Sequence, residues 1–147
     1  MKIRHLLIVT LLLIGNAMFA QDEGYTRGKG FLIRPEVYGG FFLNGGYQFN
    51  PYFQVTAGAG VTIDPAVVGQ AGARVYTNKG KWAGMIDYHY RRGKYSGQSF
   101  TDHVIAGGAS YKDLDFGGGF QIVTLGNQTG IGIAITVGWN FRLYKHK

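Results

Sequence analysis

Seven side chains carry most of the chemistry this sequence offers: Arg34, Glu36, Arg74, Asp87, His89, Arg91 and Asp115. Each falls on the polar or small phase of a stretch whose alternate residues are apolar. Side chains of a β-strand alternate between faces, so the seven project to one side of whatever sheet the chain makes. The set pairs by sign, with Glu36, Asp87 and Asp115 against the arginines and His89. Charges withdrawn from water are very costly unless paired, so the set reads as an ion-pair network filling an interior. A narrow ion path is the sharper alternative. Ser96, Ser99, Asp102 and His103 are the types a hydrolase or acyltransferase uses. Catalysis needs a base within hydrogen-bond reach of its nucleophile, and nearness in sequence does not establish that reach. No metal-ligand spacing occurs. The glycine repeats, Gly58 with Gly60 and Gly117 through Gly119, open no helix and so cradle no phosphate. No cofactor is expected.

The elements that position these residues all have period two. Strands are expected over 31–39, 42–49, 53–62, 67–77, 82–91, 103–111, 115–123 and 130–144. The last is the clearest. Ile131, Ile133, Ile135, Val137, Trp139, Phe141 and Leu143 alternate with Gly130, Gly132, Ala134, Thr136, Gly138, Asn140 and Arg142. Such a strand exceeds ordinary soluble lengths but crosses a bilayer when tilted. Pro35 interrupts the first strand, where a bulge is expected because proline lacks the N–H that a closed sheet needs. Connections near Asn50-Pro51-Tyr52, Asn78-Lys79-Gly80-Lys81 and Lys112-Asp113-Leu114 are short. Those at 40–43, 63–66, 92–102 and 125–129 are on the whole longer, 92–102 most of all. Alternating short turns and longer loops is the asymmetry of outer-membrane barrels, with both termini periplasmic.

Volume decides which face is outside. An eight-stranded barrel has interior room for a filling of side chains or one small ligand. The apolar phases carry too many bulky groups for that lumen, whereas Gly, Ala, Thr and Gln on the other phase fit. The apolar faces are therefore expected to meet lipid, where a charge at the midplane would cost about 2–4 kcal/mol. Aromatics sort by height into an expected girdle. Phe31, Phe53, Trp82, Trp139 and Phe141 belong to one rim, and Tyr88 and Tyr90, with Phe42, to the other. The fold class expected is all-β, an eight-stranded antiparallel up-and-down transmembrane β-barrel.

Composition bounds the rest. Residues 1–20 read as a cleaved signal peptide, with Lys2, Arg4 and His5 before an apolar run and small residues near Ala20. Its loss leaves 147 − 20 = 127 residues and a charge of (15 − 2) − 8 = +5. Residues 21–30 read as a flexible periplasmic lead-in, and 31–147 as the barrel. Export and scattered basic residues argue against nucleic acid. Cysteine is absent, so an exported chain has no disulfide framework. No later run is long enough for a membrane helix, so any span is made of strands.

Gly46-Tyr47-Gln48-Phe49-Asn50-Pro51-Tyr52-Phe53, followed by Ala57-Gly58-Ala59-Gly60-Val61, resembles the second hairpin of small outer-membrane β-barrel proteins of Bacteroidota, barrels of the OmpA- and OmpX-like kind. Ser110-Tyr111-Lys112-Asp113-Leu114-Asp115-Phe116-Gly117 resembles their sixth-to-seventh strand turn. The resemblance implies outer-membrane residence in a Gram-negative cell and contact with the barrel-insertion machinery. It departs at the end, where Tyr144 is followed by Lys145-His146-Lys147 rather than a final aromatic. Arg91, Arg92 and Lys94 fall at the expected outer rim, where guanidinium forks match lipopolysaccharide phosphates. The expected role is structural or surface-interactive, as a monomer. A lipid-modifying enzyme and a soluble secreted lipocalin-like binding barrel are the alternatives.

Overall fold

A computed structural model describes residues 25–64 and 66–143. The expected signal peptide and the tail from Tyr144 lie outside the described residues. The chain is a ring of antiparallel strands with no helix among the described residues. In order they are β1 (Gly30–Val37), β2 (Gly40–Asn50), β3 (Phe53–Thr62), β4 (Val67–Tyr76), β5 (Trp82–Tyr95), β6 (Gln98–Tyr111), β7 (Leu114–Leu125) and β8 (Gln128–Trp139). A two-residue continuation, β9 (Phe141–Arg142), follows. Each strand pairs with the next, and β1 closes onto β8 and β9. The all-β, eight-stranded antiparallel ring expected from the alternation is the fold.

Closure explains what happens at Pro35. The β1–β2 register passes it without a shift, through Pro35↔Leu43, so the expected bulge is not there. The irregularity of β2 lies instead between Gln48 and Asn50, against β3. On the closing seam, Leu32↔Arg142 and Ile33↔Phe141 give way to Glu36↔Gly138 and Val37↔Val137 on one register. The gap falls opposite Pro35, which has no N–H to donate. It also divides the expected 130–144 strand into β8 and β9. Asn140 sits at the break and donates its backbone N–H to the Asp113 carbonyl (2.8 Å). Trp139 and Phe141 stay on the outer face across the break, so the phase is kept.

Call the rim at which β1 begins the near rim and the other the far rim. The long loop expected over 92–102 is not a loop. β5 and β6 pair through Tyr95↔Gln98, leaving Ser96-Gly97 as a two-residue turn with positive φ at both positions (48° and 82°). That is the backbone a tight hairpin of the usual twist requires. The charged, polar residues of 92–99 look like a loop, yet they continue the ladder. The far-rim connections are 38–39, 63–66, 96–97 and 126–127, no longer than those of the near rim. The expected contrast of short turns and long loops is therefore absent. The asymmetry lies in strand length instead. β4 pairs with β5 only as far as Val68↔Gly93, and β6 with β7 as far as Phe100↔Leu125, so the β5–β6 tip projects beyond the ring.

Glycines on the inner face mark where strands and long side chains crowd. A Cβ at Gly119 would overlap the Ile105 carbonyl oxygen and lie 2.6 Å from the Ala106 Cα. At Gly118, the outward neighbour, the nearest atom would be 3.5 Å away. Gly119→Ala is expected to lower stability by about 1–3 kcal/mol, the range for overpacking, while Gly118→Ala leaves it nearly unchanged. Equilibrium unfolding in urea of the two variants beside the parent chain checks this.

Candidate functional site

The inner phase of the strands brings the charged residues into one buried column. All seven expected lumen residues, Arg34, Glu36, Arg74, Asp87, His89, Arg91 and Asp115, are buried and project inward. The column has three levels.

The middle level is the most connected. Arg34 Nη1 donates to Asp115 Oδ2 (2.6 Å), which also accepts from the Tyr76 hydroxyl (3.0 Å) and from Asn140 Nδ2 (2.9 Å). Asn140 Oδ1 accepts from Arg34 Nη1 and from Gln54 Nε2, each at 3.1 Å. Arg74 is in direct contact with Asp87 and lies 3.5 Å from Glu36 Oε1. His89 Nε2 is 2.8 Å from Asp87 Oδ2 and 3.3 Å from Glu36 Oε1. Gln70 and Asn44 donate their amides to Glu36 Oε2 at 3.0 and 3.3 Å. Two glycines make room for this packing. A Cβ at Gly138 would overlap the Arg34 guanidinium, and one at Gly72 would press on the His89 ring.

Arg91 anchors the far level. Its Nε donates to Asp102 Oδ2 (2.7 Å), its Nη2 contacts the same oxygen, and its Nη1 donates to the Tyr38 carbonyl (3.1 Å). The guanidinium lies over the Tyr38 ring, 4.2 Å from its centroid. Gln121 donates to Asp102 Oδ2 (3.2 Å) and accepts from the Tyr38 hydroxyl (2.9 Å).

The near level closes the other end with the lead-in itself. Residues 25–29 have no regular structure, but the part expected to be flexible is fastened here. Arg27 is 1% exposed. It donates to the carbonyls of Gly80 (2.6 Å) and Asn78 (3.2 Å) and to Ser110 Oγ (2.8 Å), and covers the Tyr76 ring at 4.5 Å. The Tyr25 hydroxyl donates to Asp113 Oδ1 (2.8 Å), which Arg142 Nε also reaches (2.8 Å). Burial, with Asp113 beside it, pushes the Tyr25 phenol above its usual range.

Charge balances along the column. Arg27, Arg34, Arg74 and Arg91 stand against Glu36, Asp87, Asp102 and Asp115, with His89 between Glu36 and Asp87. Sequence reasoning missed two of these. Asp102 falls in the expected 92–102 connection, although the inward phase running 87, 89, 91 continues across the hairpin to it. Arg27 had no local signal, because its partners are 51 to 85 residues away. The donor atoms of Glu36, Asp87 and His89 lie within 4.8 Å of one another, a grouping able to hold a metal ion. Arg74 already contacts or approaches both carboxylates, so the grouping reads as part of the ion-pair plug.

The remaining candidates divide by face. Arg91 points inward and is no outer-rim contact, whereas Arg92 and Lys94 are exposed on β5. Asp102 is turned inward to Arg91, while His103 faces outward with Nδ1 2.9 Å from the Tyr88 hydroxyl. Ser96 is at the hairpin turn and Ser99 is exposed on β6. The hydrolase-like set is not assembled. Of the aromatics, Phe31, Tyr47, Phe49 and Phe53 form an outward chain of ring contacts near the near rim, at 4.9, 5.0 and 5.7 Å. Trp82 packs on Tyr111 (4.6 Å) and Trp139 on Phe141 (6.0 Å). Tyr88 and Tyr90 sit partway up β5 beside His103. Phe42, expected at the outer girdle, is buried in the lumen.

These features define a closed eight-stranded antiparallel barrel whose interior is filled by a charge-balanced polar plug. Comparison with known proteins returned no matching family model, no matching curated protein and no matching solved structure. The functional reading therefore rests on the geometry.

Breaking one pair should cost far more than replacing it. Asp102→Leu leaves Arg91 buried without its carboxylate and is expected to lose about 3–5 kcal/mol. The double variant Arg91→Met with Asp102→Leu is expected to regain more than half of that loss. Urea unfolding of both variants measures it.

Proposed function

We propose that this chain is an integral outer-membrane β-barrel protein, exported with its first twenty residues removed, with a structural or surface-interaction role. The observation that carries the reading is the inside-out distribution of side chains. Apart from Arg92 and Lys94 toward the β5–β6 tip, the charges of the strands lie in the lumen, while the outer face carries apolar groups on every strand: Ile33, Leu43, Val61, Val75, Ile86, Ile105, Phe120 and Ile133 are all exposed. On β8, Ile131 and Ile133 are 78% and 84% exposed. Soluble monomers rarely expose contiguous apolar patches beyond a few hundred Å². Lipid removes that cost, at about 1.5–3 kcal/mol for each large side chain taken fully out of water. A lipocalin-like reading requires the reverse placement, with an apolar lining and a polar exterior.

The outward aromatics mark the edges of the apolar band. Phe31, Phe53, Trp82, Trp139 and Phe141 border it at the near rim. On β5 and β6, Tyr88, Tyr90 and His103 border it toward the far rim, with the β5–β6 tip extending beyond. From Trp82 to Arg91 is ten residues, within the roughly 9–11 that a tilted transmembrane strand needs. Insertion of such a chain falls to the barrel-assembly machinery. The plugged lumen favours a monomer that does not conduct, so interaction falls to its rim and tip. There Arg92 and Lys94 supply exposed cations for lipopolysaccharide phosphates. The separation of Asp102 from His103 favours this role over a lipid-modifying enzyme.

Three outcomes are expected. The chain should fractionate with the outer membrane and migrate faster on SDS gels before boiling than after. Recovery in the soluble fraction with no shift would overturn the reading. In planar bilayers the purified protein should show no steady conductance. Arg92→Ala combined with Lys94→Ala should weaken lipopolysaccharide binding about two- to tenfold at low salt, with the difference shrinking as salt screens it.

A further inference from the structure

The inward phase changes character above the Arg91–Asp102 pair. Below it the lumen holds the ion pairs and amides, with Leu32, Met85 and Val104 buried among them. Above it the inward positions become Ala66, Phe100, Val123 and Leu125, around an open cavity of about 450 Å³ at the far rim. Phe42 and Val68 pack with Ala66 and Phe100 in the wall. The volume lies within the roughly 300–1,000 Å³ of small-molecule sites, which are mostly apolar with a few placed polar groups. Arg91, Asp102 and Gln121 also line it.

The polar groups of the lining have a definite hydrogen-bonding polarity. Arg91 already spends Nε and Nη2 on Asp102 and Nη1 on the Tyr38 carbonyl. Gln121 spends its amide on Asp102 and its carbonyl on Tyr38. Asp102 Oδ2 receives all of those donors, whereas its buried Oδ1 accepts no hydrogen bond. Asp87 and Asp115 have such an oxygen too, but neither lines the cavity. A buried acceptor without a donor keeps its full desolvation penalty. Asp64 adds a second acid to the lining. The site therefore offers an unpaired acceptor, two acids and apolar walls, while Arg91 keeps one N–H on each Nη and Gln121 one amide N–H beyond the bonds above.

We propose that this vestibule binds a small amphipathic molecule. Its apolar body lies against Phe100, Val123 and Leu125, and its polar end, an alcohol or amine, donates a hydrogen bond to Asp102. A carboxylate-ended molecule of the same length is rejected, because the two acids of the lining, Asp64 and Asp102, outnumber its one cation, Arg91. The site depends on the far-rim geometry and not on the membrane reading.

The test is methyl NMR on the full chain in lipid nanodiscs, titrated with 1-hexanol, hexylamine and hexanoate. Hexanol and hexylamine should give saturable shifts at Val68, Val123 and Leu125, and hexanoate should give none at the same concentration. Val123→Trp fills the cavity from a half-exposed position and should weaken binding about tenfold or more, leaving the outward Val61 and Val75 methyls unshifted. Equal binding of hexanoate overturns the proposal. So do shifts that never saturate, or that appear at the outward methyls instead, since they report partition into lipid. A chain that stays soluble overturns only the membrane reading, and the same titration in buffer then applies the same criteria.

Discussion

Neutralisation of charge in a confined space is the constraint on which the structure depends. Arg34 and Arg74 are each held by acids from other strands, and Asp115 receives Arg34, Tyr76 and Asn140 on one oxygen. Those residues come from β1, β4, β7 and the break between β8 and β9. The ion pairs therefore tie together strands that are not neighbours, across the barrel interior. Burying such charges costs more than their attraction returns unless the geometry and extra hydrogen bonds are good. Asn44, Gln54, Gln70 and Asn140 supply those bonds, which is why the lumen is rich in amides as well as ions.

Side-chain size is then divided between the two faces. Inside, long arginines fit only because glycines such as Gly138 and Gly72 give up their side chains to the space. Outside, no such limit applies, and isoleucine, phenylalanine and tryptophan crowd the surface. The same alternation that fills the interior with charge thus leaves an apolar exterior, and both faces follow from one ring of strands.

The interior is not uniform along its axis. The lead-in plugs the near end through Arg27, a residue before the first strand. Among the described residues the far end has no counterpart to that plug, and the cavity walls above Arg91 turn apolar. One end is sealed by polar contacts and the other opens as a lined cavity. This axial difference separates the part of the lumen that stabilises from the part able to recognise a ligand.

Much of this was legible in the chain because period-two patterning survives without knowledge of partners. The alternation from Ile131 to Leu143 identified the strand and its outward face. The polar phase of Arg34, Glu36, Arg74, Asp87, His89, Arg91 and Asp115 identified most of the plug. Where the signal was compositional it failed. The residues from Arg92 to Ser99 are polar enough to look like a loop, yet their backbone hydrogen bonds continue the ladder regardless of side-chain type. Phe42 looked like a girdle aromatic, but it shares the inward strand phase of Asn44 and Gln48. What only the tertiary structure decided was long-range. Arg27 finds its partners more than fifty residues away, Asp115 becomes Arg34's counter-ion, and Pro35 falls on the closing seam. Local sequence determines which face a side chain takes, because strand geometry is local. Which residues meet across the lumen depends on ring closure and register, and those are set by all the strands together.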